Sequence, residues 1–149
     1  MTMSFEIKVS SHTPKVSDEL NEVLERFLLD IGYLSGRKTG EELYDSIPFR
    51  MWTEFLLKEP EEPMTVDELS ARLDASKPTI YRHLNKLKNM DLLESEEIIE
   101  DDGGEVVKKG YKLRNGDFRT AWHVTEANIE SAMKRYRQTI DKIIELSEG

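Results

Sequence analysis

"MTVDELSARLDASKPTIYRHLNKLKNMDLLES", Met64 to Ser95, is the stretch on which the fold turns. Thr65 and Glu68 form a capping box, with Thr at the cap and Glu three residues on. They predict a short helix that buries Val66, Leu69 and Leu73. Asp74-Ala75-Ser76 then breaks the pattern. Ser76 is a good N-cap, and Pro78 falls in the first turn, where a missing N–H costs nothing. Ile80, Leu84 and Leu87 follow at i, i+4 and i+7, one stripe of a second helix. Lys77, Thr79, Arg82, His83, Lys86 and Asn89 lie largely off that stripe. Two short helices joined by a tight turn, the second basic on its open face, make a helix-turn-helix.

The second helix is an electrical exception. Ser76 to Leu87 holds Lys77, Arg82, His83 and Lys86 and no acid, in a chain whose formal net charge is −9. That balance argues against a general polyanion binder. A local basic face remains possible, because the Debye length is only about 8 Å in physiological salt. The 149 residues suit one domain with appended helices, and 34% charged residues point to a soluble protein. No apolar run approaches the roughly 20 residues that span a bilayer, and the N-terminus lacks a signal-peptide core. The expected location is the cytoplasm, with no membrane partner. Cysteine is absent, which removes disulfides, thiolate metal sites and cysteine nucleophiles. His12, His83 and His123 are scattered, and no His/Asp/Glu group has metal-ligand spacing. No nucleophile–base pair and no Gly-rich phosphate loop is present. No enzyme, metal or cofactor is therefore expected.

Outward from the quoted stretch, the period changes at Leu92. Leu92 to Glu100 reads as a strand, Asp101-Asp102-Gly103-Gly104 as a turn, and Val106 to Leu113 as the returning strand. Asn115-Gly116 is a second hairpin signal, which predicts a third strand over Phe118 to Val124. Met3 to Val9 is a weak further strand. Upstream, Ser17 can cap a helix striped by Leu20, Leu24, Phe27, Ile31 and Leu34. Pro48 interrupts the next helical stretch, and Phe49, Trp52 and Leu56 form a broad core stripe. Thr125 and Asn128 are candidate caps for a last helix, striped by Ile129, Met133, Tyr136, Ile140 and Ile143. Both outer stripes have the 4-3-4-3 spacing of a packing seam. Each is short for an independent coiled coil, so each is expected to pack on the core or on a second copy. Phe118, Trp122, Trp52 and Tyr111 suit core packing more than a small-molecule pocket. The expected fold class is α+β and mostly helical, in three parts. Residues 1–40 carry the N-terminal strand and helix, 41–124 the central domain, and 125–149 the C-terminal helix.

The span from Ile47 to about Thr125 resembles the winged helix-turn-helix regulators of the ArsR and MarR type. The residues that carry the resemblance are the quoted stretch, "IPFRMWTEFLLKEP" before it and "GYKLRNGDFRTAWHVTEANI" after it. Two positions depart from the family pattern. Asp91 stands where Gly usually precedes the wing strand, and Asp tolerates the left-handed conformation that a helix end often needs. The wing turn is acidic at Asp101-Asp102, where Arg or Lys is common, so phosphate would repel it. The resemblance implies a sequence-specific transcriptional regulator that sets residues 76–90 in the major groove of double-stranded DNA.

Arg82 is then the candidate for base readout, since its fork matches guanine O6 and N7. Ser76, Thr79 and Tyr81 are candidates for phosphates or bases, and Lys77 and Lys86 for phosphates. Thr65 and Pro78, at the starts of the two helices, complete the contact set with Lys108 and Lys109 on the return strand. Lys112 and Arg114 are further backbone candidates. His83 has two readings, a phosphate contact or a bond within the domain. A single winged module buries little surface on DNA, so a homodimer on a palindromic operator is expected, joined through the outer helices. The alternative is a winged-helix protein–protein module of a transcription or chromatin assembly, which the acidic wing would suit.

Overall fold

The computed structural model describes residues 6–8, 17–36, 38–101 and 105–149. Helix α1 (Leu20–Asp30) leads into α2 (Gly40–Tyr44) and α3 (Ile47–Arg50). Pro48 lies in the first turn of α3, so it starts that helix after the break at Asp45-Ser46. The chain runs on as a π-helical segment, Met51–Leu56, marked by the bond from Leu57 N–H to the Trp52 carbonyl. Met51, Trp52, Phe55 and Leu56 are all fully buried there, beside Phe49.

The helix-turn-helix forms where its caps predict. Thr65 Oγ1 accepts from Glu68 N–H at 3.1 Å, which opens α4 (Val66–Leu73). Asp74 ends α4 in the left-handed region, φ 50°. The Ser70 hydroxyl donates across the turn to the Ala75 carbonyl. Ser76 Oγ accepts from Thr79 N–H at 3.3 Å and opens α5 (Lys77–Asn89). Ile80, Leu84 and Leu87 hold α5 to the core. Asp91 takes φ 61°, the left-handed conformation expected at its place. Its carbonyl accepts from Arg114 Nε at 3.1 Å and its carboxylate from Asn128 Nδ2, so one turn residue ties the end of α5 to two segments far along the chain.

The wing is a two-stranded hairpin, β2 (Leu93–Asp101) and β3 (Glu105–Leu113), with Leu93 opposite Leu113. The third strand is not Phe118–Val124. It is β1 (Met64–Thr65), which pairs antiparallel with β3 at Tyr111 and Gly110, giving the order β1-β3-β2. Gly110 sits close under Ile98 and Pro63, and a Cβ there would press on the Ile98 side chain. It would lie 3.0 Å from the Pro63 Cβ.

Phe118 to Val124 is the first part of a single helix, α6 (Phe118–Ser147). Asn115 (φ 59°) and Gly116 (φ 70°) do not join two strands. They turn the chain through a short 3₁₀ segment, Arg114–Gly116, into a helix start capped by Asp117. The Asp117 carboxylate accepts from Thr120 N–H at 3.1 Å and from its hydroxyl at 2.8 Å. Phe118, Ala121, Trp122 and Thr125 share the inner face at i, i+3, i+4 and i+7, a helical period rather than an alternation. Thr125 therefore caps nothing. It is buried, and its hydroxyl bonds the Met90 carbonyl at 2.8 Å. A boundary between 124 and 125 falls inside α6.

The strand expected at Met3–Val9 lies outside the described residues except for 6–8. There Glu6 N–H bonds the Asn89 carbonyl at 2.7 Å and Lys8 N–H the Ile31 carbonyl at 3.1 Å, outside the sheet. Ser17 does not adjoin α1 as its cap. It accepts from Glu19 N–H at 3.2 Å and bonds Glu22 at 2.8 Å. The α1 stripe divides. Leu24, Leu28 and Ile31 enter the core, while Leu20 is 60% exposed and Phe27 packs edge-on against Phe118 and Trp122.

Candidate nucleic-acid interface

Pro78, Tyr81, Arg82 and Asn85 are exposed on α5 at i, i+3, i+4 and i+7, one open face opposite the core stripe. Arg82 has no hydrogen-bond or ion-pair partner among the described residues, so its fork is available. Tyr81 is 47% exposed. Asn85 was missed from sequence, because an uncharged amide among cations carries no charge signal. Its amide suits adenine as the fork suits guanine.

Lys88 is exposed in the last turn of α5, whereas Lys86 and His83 are committed elsewhere. Lys86 does not reach outward. Its Nζ donates to the Tyr33 carbonyl at 2.5 Å and sits 5.5 Å from the Tyr33 ring centre. Burial there pushes the ammonium pKa down. His83 is half-buried, with its ring 6.4 Å from that of Tyr33. Burial first, then the nearby charges of Arg82 and Lys86, lowers its pKa to about 4. At neutral pH it is an uncharged ring wedged beside the helix. Tyr33, which organises both, is buried and donates its hydroxyl to the Pro48 carbonyl at 3.1 Å. Its part was not legible, since the contact spans 53 residues of chain.

Lys77 lies 2.7 Å from Asp67 Oδ1, and Lys108 3.3 Å from Asp67 Oδ2. Two predicted phosphate contacts thus share one carboxylate from the first turn of α4. Their hydrogen bonds, that of Lys77 foremost, hold the Asp67 pKa below the usual carboxylate range. Thr65 is buried, its hydroxyl turned to Glu68 as a cap, so it faces no ligand. Ser76 and Thr79 join their hydroxyls at 2.9 Å in the cap of α5. Both stay at the helix N-terminus, where free N–H groups favour an anion.

On the wing, Lys112 is spent on Glu96 at 2.7 Å and Glu94 at 3.6 Å. Arg114 is spent on Asp91, with 3.5 Å between its Nη2 and Oδ1. Lys109 is exposed, faces Glu97 across the ladder and forms no ion pair among the described residues. Of the acidic turn expected to repel phosphate, Asp101-Asp102, the backbone of Asp101 ends β2 and the rest lies outside the described residues. Among the described residues no group of three His, Asp or Glu is placed to hold a metal, and no helix is long and apolar enough to cross a membrane.

Known proteins match this arrangement. The family model described as bacterial regulatory protein, arsR family, matches residues 55–95. An uncharacterized HTH-type transcriptional regulator of Methanocaldococcus jannaschii is 36% identical over 81 residues, which are 54% of this chain and 78% of that protein. A possible transcriptional regulator from Methanosarcina mazei Go1 is similar in structure with a TM-score of 0.45 at 18% identity, over 87% of this chain and 98% of that one. Lactococcus lactis ZitR in complex with DNA gives 0.34 at 15% identity, over 85% and 86%. The capped helix pair, its wing and the extent of the M. jannaschii match place this chain among the winged helix-turn-helix transcriptional regulators, with a helix-turn-helix of the arsR family.

Proposed function

We propose that this regulator is a cytoplasmic homodimer that reads a palindromic operator, each copy setting α5 in the major groove. The observation that carries the reading is Arg82: exposed, unpaired among the described residues, and beside Tyr81 and Asn85 on the one face of α5 that the core leaves open. Arg82 and Asn85 supply base readout, Tyr81 a base or phosphate contact, and the α5 N-terminus a phosphate site. Lys109 supplies backbone contact from the wing.

The dimer rests on α6. Beyond Thr125 this helix leaves the body with its stripe uncovered. Met133, Tyr136, Ile140 and Ile143 are each more than half exposed. Trp122, Ile129, Tyr136 and Ile143 fall seven residues apart, so the stripe continues into an open groove of about 550 Å³ where Leu20, Val23 and Phe27 meet Phe118 and Trp122. A strip this long on one face is more than a soluble monomer usually exposes. A second copy covers it with like residues, and a two-fold axis between the copies matches an inverted repeat. Leu24 and Ile31 are mostly buried in the chain's own core, Leu24 at the floor of that groove.

Selection of bound sites from random duplexes at two salt concentrations tests the reading. The expected result is a palindrome with half-sites about one helical turn apart. A second reading, a winged-helix module that docks protein, is favoured by one observation: most wing cations are already paired with acids. Failure to enrich any sequence, with the dimer intact in solution, would favour that module.

A further inference from the structure

Asp67 is the second residue of α4, and the ordinary account of it is a first-turn acid that suits the helix dipole. Its surroundings go further. Its two oxygens are divided between two ammonium groups from different elements, Lys77 at the start of α5 and Lys108 on β3, 41 residues away. Both lysines are of the kind that serves phosphate, a point charge on a flexible stem. The fork of Arg82, the kind that reads bases, is given no acid among the described residues. The chain therefore neutralises the two sequence-blind cations nearest the start of α5 and leaves the sequence-reading one open.

We infer that Asp67 is a specificity-determining residue, an internal counter-ion that withholds Lys77 and Lys108 from phosphate. The inference rests on the DNA-binding reading above. Nonspecific binding to duplex consists almost wholly of phosphate contacts, whereas specific binding adds base readout. A carboxylate set among phosphate-directed lysines lowers the first more than the second. It also repels any phosphate that approaches them. What matters for finding one operator among many sites is the ratio of the two affinities, and Asp67 raises that ratio.

The test uses the full chain with Asp67→Asn and Asp67→Ser, two variants that keep a capping side chain in the first turn. Binding to a scrambled short duplex is followed by fluorescence anisotropy across a salt series, with circular dichroism to confirm the fold. Each variant should bind more tightly than the parent at low salt. Its plot of log affinity against log salt should steepen by about 0.9 to 1.8 per bound chain, one or two released phosphate contacts. That advantage should shrink up to about tenfold between roughly 50 and 200 mM salt. Adding Lys77→Ala and Lys108→Ala to Asp67→Asn should return the slope to that of the parent. A purely structural role for Asp67 would move the melting temperature and leave the slope alone. Parallel salt lines, or weaker binding by both variants, would overturn the inference while leaving the DNA reading intact. If neither parent nor variants bind any duplex at low salt, the DNA reading falls and this inference with it.

Discussion

Helix α5 is basic in sequence and the wing hairpin acidic, with seven acids against three lysines over 93–113, and the two keep their cations differently. The hairpin folds its own acids against its bases. Strand pairing sets Lys112 directly across from Glu94, next to Glu96, and that lysine is neutralised from within the hairpin. Helix α5 has no acid between Lys77 and Asn89, so its cations are neutralised only by what other elements bring. Asp67 reaches Lys77, the Tyr33 carbonyl reaches Lys86, and burial discharges His83. Nothing described reaches Arg82. A count of cations therefore overstates both regions, and the surplus left on the helix is the Arg82 fork in the middle of the open face and Lys88 in the exposed last turn.

The largest expected effect is on that fork. Arg82→Ala should lower affinity for a selected operator by about 1–3 kcal/mol, the range for one bidentate base contact. Binding to scrambled duplex should change much less. Arg82→Lys sharpens the point, because it keeps the charge and loses the fork. If titration of the selected site shows Arg82→Lys equal to the parent, Arg82 is a phosphate contact and α5 differs from the wing in degree only.

Asp91 comes next, because it makes Arg114 structural rather than available. Asp91→Ala removes the carboxylate that faces Arg114 and Asn128, and it keeps a Cβ in the left-handed region. Strain of this kind costs on the order of 1–3 kcal/mol. Asp91→Gly relieves it, and should recover part of the loss in urea denaturation. Equal stability of the two variants would show that the carboxylate, and not the backbone, is what matters.

His83 tests the part of the comparison that depends on burial. Its folded pKa, about 4, is below the value near 6.5 expected in the unfolded chain. Between those values the unfolded state holds more protons, so its contribution to stability is full above about pH 6.5 and is lost as pH falls towards 4. The loss should be on the order of 1–2 kcal/mol, since solvent still reaches the ring and screens the charge. His83→Gln should lose less stability than the parent between pH 7 and about 4.5, by urea denaturation at both. The same loss in both proteins would mean that the ring is free to ionise on the helix.

How far these differences were legible depends on their range in sequence. Thr65, Ser76, Pro78 and the Ile80-Leu84-Leu87 stripe act within a few residues, so the helix-turn-helix and its caps were legible. Asp91 was legible for the same reason, since its φ is a local property. Asn115-Gly116 misled because two left-handed residues serve a hairpin and a helix start equally well. What decided between them was the Asp117 cap and the spacing of Ala121 and Thr125. The availability of cations was not legible, because Asp67 and Tyr33 meet α5, and Lys108 meets Asp67, only through tertiary packing. The two 4-3-4-3 stripes show the same limit. The period announces a face to be covered, and it does not say that the stripe on α1 beyond Leu20 is mostly covered by its own chain while most of the stripe on α6 is left open.

The smallest expected effect lies within the hairpin itself. Lys109 and Lys112 are near neighbours on β3, and each faces a glutamate across the ladder. Lys112 is locked between Glu94 and Glu96 with little of its side chain exposed, whereas Lys109 is exposed and forms no ion pair among the described residues. If the wing meets the DNA backbone at all, it does so through Lys109. Lys109→Ala should then reduce the salt slope by close to 0.9, roughly the release of one counter-ion, with no change in sequence preference. Lys112→Ala should leave the slope unchanged, because removing a cation already held by two carboxylates frees negative charge rather than a phosphate site. It should cost at most about 1 kcal/mol of stability, as pairs at a surface do. Anisotropy titrations over a salt series separate the two variants. A slope that falls equally in both would mean that phosphate competes successfully with Glu96, and that the pairing of Lys112 is an arrangement of the free protein which DNA undoes.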